Sequence, residues 1–356
     1  MGARSWGRAT PLAIAAALAL PVAGCAQEAD PADFAIGDVE FEATPEFVAE
    51  AAERSTGEPY RFEAELAMQF AFAGQSIDVD APFMSGEQDG ELSHSAMDMG
   101  ALFEELAELA PAGGGMPPEL AAADLTMETV ADRTTMYLRA PMFEALADTG
   151  GGVPVEQLGS MAALAELGDD WGRVDLDALG DVVPLNDLAG TAGGQAMDPR
   201  AFFDLVAGAD AVDELGDAEV RGVAVQGLGA EVTMGELFEA SGTDPEELAG
   251  STGNALADDA ERFFEAIVDV SMPVEAWIDD DGYVRRLAYE MDLLEMFESA
   301  GLSDDLGGDV PDEFAYSFTM DFFDYGDDSI AIELPDPDET VDITDAFLEV
   351  YAGSET

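Results

Sequence analysis

His94 and Cys25 are the only imidazole and the only thiol in the 356 residues. A nucleophile–base pair, a Cys/His metal site and a disulfide all need more than that. His94 lies in Leu92-Ser93-His94-Ser95-Ala96, inside a strand-like stretch without a nucleophile-elbow pattern, and reads as a strand histidine rather than a base. The run Asp279-Asp280-Asp281-Gly282 invites comparison with a calcium loop. Such a loop starts with an acid five residues before its glycine and ends with a Glu six residues after it. Those positions hold Trp277 and Ala288, so the run reads as a hairpin turn whose glycine supplies positive φ. No glycine run has phosphate-loop spacing, and the chain has no Lys for a P-loop. The sequence therefore assigns no catalytic residue, no cofactor and no metal ligand, and the chain reads as a non-enzyme. Hydrolysis by paired carboxylates stays open, because among 78 acids a chance pair says nothing.

Those 78 Asp and Glu face 12 basic residues, all Arg, giving a formal net charge of -66. Phosphate recognition needs clustered cations, so nucleic-acid binding is excluded as a function. Hydrophobic residues still make up 48% of the chain and mean hydropathy is +0.03, enough for a substantial core. A Lys-free, acid-heavy surface repels itself at low ionic strength and is screened at high salt, where the Debye length falls to about 3 Å at 1 M. It reads as adaptation to a saline habitat, with drift toward solubility as the alternative.

The N-terminus specifies location. Arg4 and Arg8 precede an apolar run from Pro11 to Pro21, and no acid occurs before Glu28. The run is shorter than the roughly 20 residues of a spanning helix and reads as the core of a signal peptide, residues 1–24. Val22-Ala23-Gly24-Cys25 is similar to the lipobox of bacterial lipoproteins. Cys25 is thus the expected lipid attachment site after cleavage, and acyl chains contribute about 0.8 kcal/mol per buried CH₂ to membrane binding. An ordinary secretory signal with an incidental Cys is the alternative. The expected location is the outer face of the cytoplasmic membrane, with residues 25–43 as an acidic tether and residues 44–351 as a single folded domain.

Thr44-Pro45-Glu46 opens a helix with an N-cap, a first-position proline and an acid in the first turn, and Gly57 ends it. Tyr60 to Phe72 alternates apolar and polar residues, a long strand with one buried face. Further strands are expected at 77–83, 91–99, 125–130, 134–139, 219–233 (a strand or strand pair), 272–278, 283–293, 313–323 and 330–334. Helical pieces are expected at 101–110, 161–167, 198–207, from 245 and at 254–268. Hairpin-joined strands with inserted helices predict an antiparallel α+β fold.

The chain has 20 Phe and 16 Met. Alternation puts Phe62, Leu66, Met68 and Phe70 on the inner face of the first strand. It groups Val274, Ala276 and Ile278 on the next candidate wall, and Tyr283, Arg285, Leu287 and Tyr289 on one face of its hairpin partner, with Glu275, Trp277, Arg286 and Glu290 opposite. Phe318, Met320 and Phe322 also point inward. Of these, Phe62, Leu66, Met68, Phe70, Val274, Ala276, Ile278, Leu287, Phe318, Met320 and Phe322 are the candidate lining of an apolar cavity; an ordinary packed core is the other reading.

Several segments resemble the actinobacterial LppX/LprG-type lipoproteins and, more distantly, the LolA-like lipoprotein carriers. They are Ser55-Thr56-Gly57-Glu58-Pro59-Tyr60-Arg61-Phe62, Asp170-Trp171-Gly172-Arg173-Val174-Asp175 and Glu219-Val220-Arg221-Gly222-Val223. Pro273 to Asp279 with Gly282 to Leu287, and Phe322 to Gly326 followed by Ile332-Glu333-Leu334-Pro335, complete the set. The resemblance implies a strongly curved antiparallel sheet, a half-barrel, with helices over its concave face around a cavity for acyl chains. It implies a lipid or acylated partner carried in the cell envelope; a structural or sensory lipoprotein of the same fold without a ligand is the alternative. Gly-rich insertions near 113 and 150 depart from the pattern.

Overall fold

A computed structural model describes residues 41, 43–72, 75–100, 123–148, 165–176, 178, 205–206, 208–209, 211–240, 267–268, 270–294 and 313–353. Its main feature is one 12-stranded sheet. The strands are β1 Tyr60–Phe72, β2 Gln75–Asp89, β3 Leu92–Asp98, β4 Thr126–Ala131, β5 Thr135–Arg139 and β6 Trp171–Asp175. They continue with β7 Asp213–Val220, β8 Val223–Thr233, β9 Ser271–Asp279, β10 Val284–Asp292, β11 Glu313–Phe323 and β12 Thr340–Asp342. The spatial order is β12-β6-β5-β4-β3-β2-β1-β11-β10-β9-β8-β7, an open sheet with β12 and β7 at its edges. Every pairing is antiparallel except β12 with β6, which is parallel.

The expected strand ends agree closely at β1 and β11, and the strand or strand pair expected at 219–233 takes in all of β8, the turn at Arg221-Gly222 and only the last two residues of β7. The expected strand at 330–334 does not form. Only Ile330 of its apolar residues is deeply buried, Leu334 is exposed, and the prolines at 335 and 337 supply no N–H to a ladder. Strands β6 and β12 were not among the expected strands; β12 has only three residues and carries no period of its own.

Four helices accompany the sheet among the described residues: α1 Pro45–Thr56, α2 Pro141–Asp148, α3 Met234–Ala240 and α4 Thr344–Gly353. Helix α1 begins as expected, with the Thr44 hydroxyl accepting the Phe47 N–H at 3.2 Å. No described helix is long and apolar enough to cross a membrane. The expected signal peptide, Cys25, the tether up to residue 40 and the helices at 101–110 and from 245 lie outside the described residues. Only fragments of the helices expected at 161–167, 198–207 and 254–268 lie inside them.

The register shows how the core is made. On one face, Leu287, Met320, Ala64, Met84, Met97 and Met127 stand opposite one another in turn across β10, β11, β1, β2, β3 and β4. The largest apolar cluster covers β1, β2 and β8–β11 on this face and takes in Val48, Ala51 and Ala52 of α1. A second cluster joins Met136 and Leu138 of β5 and Val174 of β6 to Ile343 and Phe347 at α4.

Candidate functional site

Strand β1 follows its alternation. Phe62, Ala64 and Leu66 are buried, whereas Glu63, Glu65 and Gln69 are exposed. Pairing carries this polarity sideways, since residues directly opposite across an antiparallel ladder share a face. Phe62 stands opposite Phe322, Ala64 opposite Met320 and Leu66 opposite Phe318. On the other flank, β9 and β8 bring Val274 opposite Ala230 and Ala276 opposite Leu228. As a result Phe62, Leu66, Val274, Ala276, Ile278, Leu287, Phe318, Met320 and Phe322 all belong to one apolar cluster, with Met68 half-buried against it. The side chain of Phe70 is outside the description. Ring contacts tighten the packing: Phe83 and Phe318 lie 6.0 Å apart and Tyr289 and Phe318 5.7 Å apart. Gly86 makes room for the Phe62 ring, because a Cβ there would sit 2.4 Å from both the ring and the His94 carbonyl.

The strand β10 departs from simple alternation. Its ladder to β9 shifts between Val284 and Arg286, so two residues of β10 fill the space of one on β9. Val284 therefore takes the inward place with Leu287 and Tyr289, and Arg285, expected on that face, turns to Asp279 instead, Nε to Oδ2 at 2.5 Å. Arg286 faces outward, as expected, and forks onto Asp321 at 2.6 and 3.0 Å. Trp277 is also outward but not solvated. It lies over Gly227 and packs with Val220 and Val225 on the outer face.

Sequence reasoning missed a polar clasp at the end of the sheet where β10 begins. The buried Ser55 hydroxyl donates to the Ala51 carbonyl at 2.7 Å and accepts the Val284 N–H at 2.9 Å. The Tyr325 phenol donates to the Val284 carbonyl at 2.5 Å, and its ring stacks on Tyr283 at 4.6 Å. Burial pushes the Tyr325 phenol pKa up, partly offset by a hydrogen bond with Ser55. Arg54 reaches the Asp281 carbonyl at 2.5 Å. The clasp ties α1, the β9–β10 turn and the end of β11 together. Its only signal in the sequence was that Ser55, Val284 and Tyr325 all fall in or beside the segments carrying the resemblance.

The turn 279–282 behaves as a hairpin. Asp279 Oδ1 accepts the N–H groups of Asp281 and Tyr283, and Gly282 has φ of 82°. His94 is half-buried on the outer face, opposite Glu87 and Val130. Among the described residues no three His, Cys, Asp or Glu converge as a metal site.

From β8 across to β6, the face carrying Phe62 presents apolar residues with Gly, Ser, Thr, Gln and Tyr, and its described strand positions include no carboxylate or cation. Tyr289 lies on it, and burial raises its phenol pKa well above the usual value. Such a surface can accept hydrocarbon and has no group for proton transfer at neutral pH. Charge sits on the opposite face. There burial, and then the neighbouring Asp80 and Asp321, raise the pKa of Glu65.

The fold and this face define an open, two-faced β-sheet protein with one side uncharged from β8 to β6, acids of the edge strand β7 at its border, and an acidic opposite side. Among solved structures the chain is similar to LprF from Mycobacterium bovis, at 9% identity and a TM-score of 0.34 over 82% of this chain and 96% of that one. It is also similar to the lipoprotein LppX from Mycobacterium tuberculosis, at 8% identity and a TM-score of 0.28 over 81% and 99%. A DUF1329 family protein from Desulfovibrio piger follows, at 8% identity and a TM-score of 0.21 over 81% and 93%. LprF and LppX are of the LppX/LprG type that the sequence resembles. No family model and no curated protein matches the chain.

Proposed function

We propose that the chain is a cell-envelope lipoprotein, anchored through Cys25 on the outer face of the cytoplasmic membrane, that binds or carries lipid acyl chains against its uncharged sheet face. On this reading the sheet is strongly curved, helices cover the concave face, and residues 44–351 form one domain behind an acidic tether. The observation that carries it is the segregation of charge. One face is free of ionisable carboxylates and cations across ten strands, while carboxylates and arginines crowd the other. A carrier of hydrocarbon needs such a face and no catalytic set, so the chain is read as a non-enzyme. The acidic surface suits a saline exterior.

A second reading, a structural or sensory envelope lipoprotein of the same fold without a ligand, draws support from the close packing of the expected lining residues. Val274 and Ala276 are 0% exposed and Phe322 is 1% exposed. Native mass spectrometry of the gently purified mature chain separates the two. Co-purified lipid that exchanges with added phospholipid vesicles supports the carrier. A bare chain that takes up no lipid from vesicles overturns it. Leu66→Trp adds a check: in a filled core, overpacking costs about 1–3 kcal/mol, whereas in a cavity wall it lowers lipid content at little cost in stability.

A further inference from the structure

Register brings three methionines of the inner face into one unbroken row. Met84 of β2 stands directly opposite Met97 of β3, and Met97 directly opposite Met127 of β4. Met84 faces inward only because of a bulge. Val79, Ala81 and Phe83 are buried in turn along β2, and continued alternation would point Met84 outward. The ladder to β1 shifts at Ala64 and Glu65, Phe83 is the extra residue, and Phe83 and Met84 both enter the main apolar cluster. Residues directly opposite have Cβ atoms about 4.5–5.5 Å apart. Each methionine has three rotatable bonds, so the row can turn its three sulfurs onto one point above Met97.

Accessibility sets this row apart from the other methionines of the face. Met272, Met291 and Met320 are sealed in the cluster, whereas Met97 and Met127 are half-buried and Met84 closes the inner end. A small ion can therefore reach the row from solvent. The donor set is equally distinct. Thioether sulfur is the only side-chain heteroatom in the row, and the adjoining row of the same strands holds Gly86, Ser95 and Thr129. His94, Glu87 and Glu128 belong to the outer rows and point away from it. Calcium and magnesium require oxygen ligands, and zinc sites are built from thiolate, imidazole or carboxylate. Neutral thioethers select Cu(I).

We propose that Met84, Met97 and Met127 form a thioether site that binds Cu(I) on the inner face of β2, β3 and β4. A thioether has no proton to lose, so binding breaks no bond and releases no proton, unlike binding at thiolate or imidazole. The ion brings a single positive charge to a half-buried, uncharged surface, which costs less than a divalent ion would, and direct coordination by sulfur compensates it. The site rests on register and donor chemistry and holds whether or not an acyl chain binds to the same face.

Anaerobic titration of the full mature chain with Cu(I) held by a chromogenic chelator, in chloride-free buffer, tests it. Cys25→Ser is carried throughout, so that no thiol competes. The chain is expected to take a single equivalent from the chelator, with only sulfur in the first shell by X-ray absorption at the copper edge. The triple variant Met84→Leu/Met97→Leu/Met127→Leu, which conserves volume, should lose the uptake. Met97→Leu alone should weaken it by about tenfold or more. Met272→Leu/Met291→Leu and His94→Gln should leave it unchanged. No uptake by the parent overturns the proposal, as does oxygen or nitrogen in the first shell. Uptake that survives the triple variant, or is lost in His94→Gln, overturns it too. If the triple variant does not fold, the methionine methyl NMR signals of the parent decide: Cu(I) has to shift those of Met84, Met97 and Met127, and shifts confined to other methionines overturn the site.

Discussion

Replacing Ser55 by Ala removes one oxygen from a site where water cannot substitute for it. Ser55 is 1% exposed and Val284, whose N–H it accepts, is 0% exposed. The orphaned N–H costs about 1–3 kcal/mol. The lost donor to the Ala51 carbonyl adds little, since that bond only supplements the helix ladder. Better helix propensity returns a few tenths of a kcal/mol, at most about 0.7. The net expectation is a loss of about 0.5–2.5 kcal/mol. Tyr325→Phe deletes the donor to the Val284 carbonyl and should cost about 0.5–1.5 kcal/mol. Both bonds grip the backbone of one residue of β10, Val284, so the double variant should be less destabilised than the sum, with coupling of at least about 0.5 kcal/mol. Urea unfolding followed by tryptophan fluorescence in 1 M NaCl measures all three, and with m of ~3 kcal/mol/M the Ser55→Ala midpoint falls by about 0.2–0.8 M. Exchange of the Val284 amide gives a local readout and should accelerate in step. A Ser55→Ala midpoint within about 0.1 M of the parent, with the Val284 amide still fully protected, refutes the clasp as a source of stability.

The Asp342 carboxylate is held below its ordinary pKa, first by hydrogen bonds from Thr344 and then by Arg173. Its folded-state pKa lies below the unfolded value of 3.8, so its contribution is complete above that value and disappears as pH falls through the lowered one. Asp342→Asn should accordingly lower Tm at pH 6 to 7 and match the parent at strongly acidic pH; a Tm gap that persists undiminished into acid counts against the assignment. Cys25→Ser should leave the chain unprocessed or release it from the membrane, and a variant that still fractionates with membranes at the mature size overturns the anchor.

Local physics sufficed wherever a single segment carried its own constraint. The alternation from Tyr60 to Phe72 fixed which side of β1 is buried, because side chains on a strand must point to opposite faces in turn. Thr44-Pro45 marked the start of α1 because orphan N–H groups at a helix start need an acceptor. The Asp279–Gly282 turn was legible for a similar reason, since its glycine and aspartate satisfy the turn without outside help. The scarcity of His, Cys and Lys likewise limited the chemistry before any fold was known.

What depended on partners distant in sequence could not be read this way. The bulge that swaps Val284 for Arg285 on the inner face exists because Asp279 captures the Arg285 guanidinium while Val284 is held by Ser55, 229 residues earlier. Strand β12 forms only by lying beside β6, and three residues carry no period of their own. Charge along one strand is a property of the sequence, but charge across strands is decided only when the ladders form.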